Sequence, residues 1–159
     1  MAQAKPGEPE GVHVVARHRR ASFDYEILEK FEAGIVLRGS EVKSIRDGHV
    51  SIAEAYATVR DGEAWIVNMD ILPYPNAGPM NHEPKRTRKL LLHRREIAKL
   101  KSKTKERGLT LVPISLYFKE GLAKLEFGLG KGRKKWDKRD KIKKDEMKRD
   151  VKREMGRRR

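Results

Sequence analysis

The chain has 159 residues, with 38 Lys/Arg against 23 Asp/Glu, a net charge of +15 and no cysteine. Disulfides, thiol catalysis and thiolate metal sites are thereby excluded, and a soluble cytoplasmic protein is expected. No apolar run approaches the ~20 residues needed to span a bilayer, so no membrane partner is expected; the opening MAQAKPGEPEG lacks the apolar core of a secretory signal.

The charge sits in blocks. Residues 131–159 hold 16 Lys/Arg and 6 Asp/Glu, and residues 85–107 hold 11 Lys/Arg and 2 Glu, whereas residues 1–84 are net acidic. Two separated cationic blocks point to polyanionic contacts, with nucleic acid the leading partner.

Residues 1–11, rich in Pro, Gly and Glu, are expected to be disordered. The chain turns apolar at Val12. Ser22 reads as the N-cap of a helix over 23–31 with Phe23, Ile27 and Phe31 on one face, ended by Gly34, after which Ile35-Val36-Leu37 begins a strand. Glu26, Glu29 and Glu32 then read as that helix's solvated face. GSEVKSIR (39–46) predicts a short helix with Glu41 in its first turn and Val42 and Ile45 inward. Asp61-Gly62 joins a hairpin of 55–60 and 64–69, and Glu120-Gly121 joins a second of 110–119 and 122–129. Pro113 places its strand at an edge or a bulge. Four prolines and a glycine between 73 and 84 make a stiff surface loop. Lys89 to Leu92 reads as a strand and His93 to Arg107 as a helix, with Ile97 and Leu100 inward and Gly108 as its stop. Five or six antiparallel strands with interposed helices point to a mainly β fold, a small closed antiparallel barrel over residues 12–130.

No arrangement of residues points to catalysis. His13, His18, His49, His82 and His93 lack metal-ligand spacing, no phosphate-cradling glycine loop is present, and no cofactor is implied. Gly128, Gly130 and Gly132 alternate, which marks a bulge or exit bend, or lets a phosphate approach the backbone. In KRTRKLLLHRR (85–95), six of eleven positions are Lys or Arg, and this block reads as a phosphate-binding face that includes Arg86, Arg88 and Lys89. His93 either caps the helix or contacts RNA.

The tail 131–159 is too poor in apolar residues to order itself. It still has a helical signature: Met147, Val151 and Met155 recur every four residues, and acid-first pairs such as Asp145/Arg149 sit at i, i+4. A stripe one residue wide leaves such a helix marginal, so the tail is expected to be disordered alone and helical when bound. Its cations Lys131, Arg133 and Lys134 join the expected contact set. Trp136 serves either as core cover or as a base-stacking platform.

The stretches FEAGIVLRGSEVKSIRDG (31–48), DGEAWIVN (61–68), PYPN (73–76), RTRKLLLHRREIAKL (86–100) and KERGLTLVPISLYFKEGLAKLEFGLGKGRKKWDKRD (105–140) together resemble the small protein B family, the tmRNA-binding proteins of bacterial trans-translation. The resemblance implies an oligonucleotide-binding-type barrel with three helices and no enzymatic activity. It implies binding to the tRNA-like domain of tmRNA, delivery with elongation factor Tu after charging by alanyl-tRNA synthetase, and rescue of stalled ribosomes by a monomer. The tail would enter the decoding centre and vacant mRNA channel of the 30S subunit and fold there.

Carried onto this chain, tmRNA contacts fall on Glu32, Lys43, Ser44, Arg46, Arg88, Leu91, His93 and Lys124, with Glu32 acting indirectly. Ribosome contacts fall on Gly132, Trp136, Asp137, Lys138, Arg139, Ile142 and Met155. The family usually has Tyr or His where Trp136 stands, and Gly156 departs from a good helix former. A constitutive ribosomal protein with an rRNA-binding barrel is the rival reading.

Overall fold

The computed structural model describes residues 11–105, 108–133 and 135–157. Among the described residues nine strands run in the order β1 (Val12–Arg17), β2 (Tyr25–Ile35), β3 (Val50–Ser51), β4 (Tyr56–Arg60), β5 (Glu63–Val67), β6 (Asp70–Ile71), β7 (Arg88–Leu91), β8 (Leu109–Lys119) and β9 (Leu122–Gly132). Helices are α1 (Ala21–Asp24), α2 (Gly39–Arg46), α3 (Arg94–Thr104) and α4 (Lys135–Arg157).

Both expected hairpins form. Asp61 and Gly62 have φ of 53° and 74°, and Glu120 and Gly121 have 52° and 79°; positive φ at both central residues gives the turn whose twist matches the flanking strands. The antiparallel pairings β8–β4–β5–β7–β2–β9 return to β8, so six strands make a ring. β8 serves two neighbours on one edge: Ala57 of β4 faces Leu111, and β1 pairs with 115–119. The register shifts between Pro113 and Ser115, where proline removes a ladder donor, as the bulge alternative requires. Closure leaves few free edges on the ring. Inside lie Phe31 and Phe127, stacked at 5.6 Å, with Ile66, Leu90, Leu116 and Leu125, while α2 and α3 seal the core through Ile45 and Leu100. β3 and β6 form a separate two-stranded ribbon.

Three expectations are corrected. The helix over 23–31 is instead the four-residue α1 followed by β2, and Ile35 ends that strand rather than starting one. Ile27 and Phe31 lie four residues apart, a spacing that fits both a helical turn and two strand pairs. The choice falls to β9, which pairs along Tyr25–Gly34. Glu26, Glu29 and Glu32 are consequently strand residues. The strand count exceeds six because β2 was hidden and β1, β3 and β6 carry little local signal. The third helix is shorter than expected, ending at Thr104.

Gly128 is a packing position. A Cβ there would meet Ile27 Cγ2 at 2.7 Å and Ile114 Cδ1 at 3.2 Å. β2 and β8 are both irregular at these residues, shifting register between Ile27 and Glu29 and between Pro113 and Ser115, and both isoleucines fold over the glycine.

β9 runs two residues past the expected boundary at 130, to Gly132. The Arg133 N–H donates to the Asp24 carbonyl at 2.9 Å, and Lys138 Nζ lies 3.0 Å from Asp24 Oδ1 and 5.5 Å from the Phe23 ring centre. From this root α4 continues for 23 residues, through Gly156, with Met147, Val151 and Met155 exposed.

Candidate nucleic-acid interface

Strand alternation turns Phe31, Ala33 and Ile35 into the ring and Glu32 and Gly34 out of it. Gly34 lies opposite Leu91 on β7 and opposite Lys124 on β9, and Lys124 lies opposite Tyr117 on β8. Leu91, Gly34, Lys124 and Tyr117 therefore form one row across four strands. Gly34 leaves that row open: Leu91 Cβ is 3.4 Å from where a Gly34 Cβ would stand. Leu91 is half exposed. A sheet face that sets an apolar side chain and a cation about two strand spacings apart, roughly 10 Å, suits the sugar and phosphate of a backbone.

Glu32 sits one outward position from Gly34. Its carboxylate accepts a hydrogen bond from the Tyr117 hydroxyl and lies 3.7 Å from Lys119 Nζ. Burial, then the hydrogen bond and charge of Glu32, push the Tyr117 phenol well above its ordinary value, so it stays a donor. Glu32 thus ties β2 to β8 and fixes the groove beside the row.

Lys89, also outward on β7, is opposite Trp65, and its Nζ is 2.9 Å from Glu63 Oε1. His93 follows at the exposed N-cap of α3, where its N–H donates to Glu96 Oε1 at 3.3 Å. Capping, one of the two alternatives for His93, is thus observed at the backbone, with the ring left at the surface. On α2, Lys43 and Arg46 are exposed over aromatic rings: Lys43 Nζ is 5.5 Å from the Tyr74 centre, and Arg46 Cζ is 5.6 Å from that of Phe118.

Three expected RNA contacts face elsewhere. Arg88 is fully buried, and each of its five N–H donors has an acceptor: the Glu41 carboxylate and the carbonyls of Met69, Arg86, Glu83 and Pro84. Arg86 is half-buried, with Nη2 2.6 Å from Glu41 Oε1. Ser44 is fully buried, and its hydroxyl meets no partner among the described residues. The cause for Arg88 is strand parity: Arg88 and Leu90 point inward, so Lys89 and Leu91 point outward. Ser44 fails for the helical equivalent, lying on the inner face of α2 beside Ile45.

Glu41 gathers this inward-facing set, holding Arg86 and Arg88. Burial alone would raise its pKa. Hydrogen bonds from Arg86, the Arg38 N–H and Arg88, with the Arg88 charge, outweigh burial and hold the carboxyl below the usual carboxylate range. Its acidic position in a first turn was visible; its two arginine partners, 45 and 47 residues away, were not.

In the second set, Lys131 and Gly132 are exposed at the end of β9, Arg133 bonds α1 by its N–H and by Nε to the Ser22 carbonyl at 3.3 Å, and Lys138 is held by Phe23 and Asp24. Arg139, Ile142 and Met155 are exposed on α4. Lys134 and the side chains of Trp136 and Asp137 lie outside the described residues. Arg17 and Arg19, outside the expected contact set, line a groove of about 780 Å3 beside Tyr117 and Glu32; the run RHRR at 17–20 is their signal in the sequence.

A ring of antiparallel strands with a cation-bearing outer face, extended by a basic helix, defines the class: an RNA-binding barrel of the oligonucleotide-binding type with a cationic arm. The chain belongs to the SmpB protein family, whose model matches residues 15–157. It is 53% identical over 138 residues to the SsrA-binding protein of Carboxydothermus hydrogenoformans, covering 87% of this chain and 93% of that one. It is 48% identical over 159 residues to the SsrA-binding protein of Syntrophobacter fumaroxidans, covering 100% and 99%. It also resembles a chain from a structure solved as "tmRNA-SmpB: a journey to the center of the bacterial ribosome", with a TM-score of 0.65 and 43% identity over 83% of this chain and 94% of that one.

Proposed function

We propose that the protein is a tmRNA-binding adaptor of trans-translation: the barrel holds the tRNA-like domain of tmRNA, and the tail operates in the ribosome. Membership of the SmpB family supports the role. The observation that carries the division of labour is the separation of two surfaces. The row of Leu91, Gly34 and Lys124 lies on the outer sheet, whereas α4 leaves from Arg133, held at its root by α1. tRNA-like RNA is read by shape, 2′-hydroxyls and backbone, and such a surface recognises geometry rather than base sequence.

In this reading the protein acts as a monomer, and tmRNA bound to it is charged by alanyl-tRNA synthetase and carried by elongation factor Tu. At a stalled ribosome, α4 occupies the vacant mRNA channel beyond the decoding centre. Its cations meet rRNA phosphates while Ile142, Met147, Val151 and Met155 meet an apolar strip. Trp136 supplies a flat ring at the junction, and stacking on one base is worth about 1–3 kcal/mol.

Two measurements test the proposal. The protein should bind the tRNA-like domain in preference to a plain RNA duplex of equal length. It should also accumulate on stalled ribosomes over translating ones. Equal occupancy on both ribosome populations would favour a constitutive ribosomal protein instead.

A further inference from the structure

α2 and the loop 73–81 line an open cavity of about 830 Å3 that shares no lining residue with the sheet row or the tail. Arg38 and Lys43 stand on the α2 side, Tyr74 and Met80 on the loop side, and no carboxylate lines it. The loop is pinned. The Asn81 side chain bonds Tyr74 twice, accepting its N–H at 3.1 Å and donating to its carbonyl at 2.9 Å. His82, almost fully buried, ties the loop to α2 by one ring nitrogen 2.9 Å from Ser40 Oγ and to β6 by the other, 2.9 Å from the Ile71 carbonyl.

That pinned loop holds Met80 82% exposed, the most exposed of the large apolar side chains described. An apolar side chain fixed in water gains only when something flat covers it, and a thioether adapts well to such surfaces. Beside it Lys43 Nζ rests 5.5 Å over the Tyr74 ring, and neither Lys43 nor Arg38 is ion-paired with a carboxylate among the described residues. A flat apolar partner carrying negative charge meets both requirements.

We propose that this cavity receives one unstacked nucleotide from a loop of the bound RNA. Its base lies against Met80 and the Tyr74 edge, and its phosphate lies between Lys43 and Arg38. The inference rests on the RNA-binding function proposed above. RNA is favoured over a protein segment by charge: two cations with no acid suit a polyanion, whereas the 780 Å3 groove beside Tyr117 carries Glu32 and Glu126 among its cations. RNA loops, unlike duplexes, offer bases that can be splayed out in this way.

The test uses the full chain and a transcript of the tRNA-like domain of tmRNA. Met80→Ala, at an exposed position, should leave the melting temperature unchanged. It should weaken binding about fivefold to tenfold, the scale of one lost base-packing contact, with no change in salt dependence. Lys43→Gln should weaken binding and lower the salt slope by about one phosphate. A photoreactive benzophenone side chain at position 80 should crosslink to a loop nucleotide.

Binding by Met80→Ala within twofold of the wild type would overturn the cavity assignment, as would a crosslink to protein alone. If Lys124→Ala weakens binding while Met80→Ala does not, the cavity assignment falls and the adaptor reading stands. If the wild-type chain shows no preference for the tRNA-like domain over a duplex, both fall.

Discussion

Arg88 and Glu41 meet inside the protein: the Arg88 Nε–H donates to Glu41 Oε2, and both side chains have no solvent exposure. This pair joins β7 to α2 across 47 positions of sequence. It also separates a cation held inside the fold, Arg88, from its outward neighbour Lys89 at the surface.

Arg88→Ala should therefore act through stability. Removing one partner of a buried pair costs about 3–5 kcal/mol, because the other charge is left uncompensated. Lys89→Ala removes a partly exposed cation paired with Glu63 and should change stability by no more than about 0.5 kcal/mol. Denaturant unfolding checks both, and salt-dependent RNA binding by the folded proteins completes the comparison. Lys89→Ala should flatten the salt slope by up to about one phosphate, and folded Arg88→Ala should retain it.

Acid should loosen the same centre. The folded Glu41 pKa lies below its unfolded value of about 4.3, so the stability it contributes is present above that pH and lost as pH falls through the folded pKa. Unfolding free energies measured from pH 7 to pH 2 should show the loss below about pH 4.3. Glu41→Gln should be less stable than the wild type at pH 7, and the difference should shrink as pH falls. A difference that is constant with pH would remove Glu41 as the titrating group.

Gly128→Ala tests whether the glycines after β9's midpoint serve packing or phosphate approach. The added Cβ would strike Ile27 and Ile114, and overpacking of this kind costs about 1–3 kcal/mol. We expect a lower melting temperature with RNA affinity of the folded protein retained. Unchanged stability with lost affinity would assign Gly128 to the phosphate backbone.

Truncation should divide the two surfaces. Because β9 pairs through Gly132 with Tyr25 and Arg133 bonds Asp24, the cut belongs after Arg133 rather than after Gly130. The shortened protein should bind the tRNA-like domain nearly as well as the whole chain but fail in tagging on stalled ribosomes. A large loss of RNA affinity would place tail residues in the tmRNA interface.

Before docking, α4 should be only marginally helical. Its apolar stripe is one residue wide and exposed, and helices of this kind take most of their stability from packing. Amide hydrogen exchange should show protection concentrated near the Lys138–Asp24 root. Gly156→Ala should raise the helix content of the last turn, by about 1 kcal/mol at that residue.

The features legible from the sequence were local or compositional. Asp61-Gly62 and Glu120-Gly121 dictated their turns because positive φ is a property of two adjacent residues. The α2 segment announced itself through Glu41, which can reach back to the Arg38 N–H only in a helical turn. Cationic blocks were visible by counting. What the tertiary structure alone decided was pairing and facing. Tyr25–Ile35 became a strand because β9 lay alongside it, and Ser44, Arg86 and Arg88 went inside because parity and a distant Glu41 placed them there. Local patterns record short-range preference, whereas burial depends on which residues far apart in the chain come to share a wall.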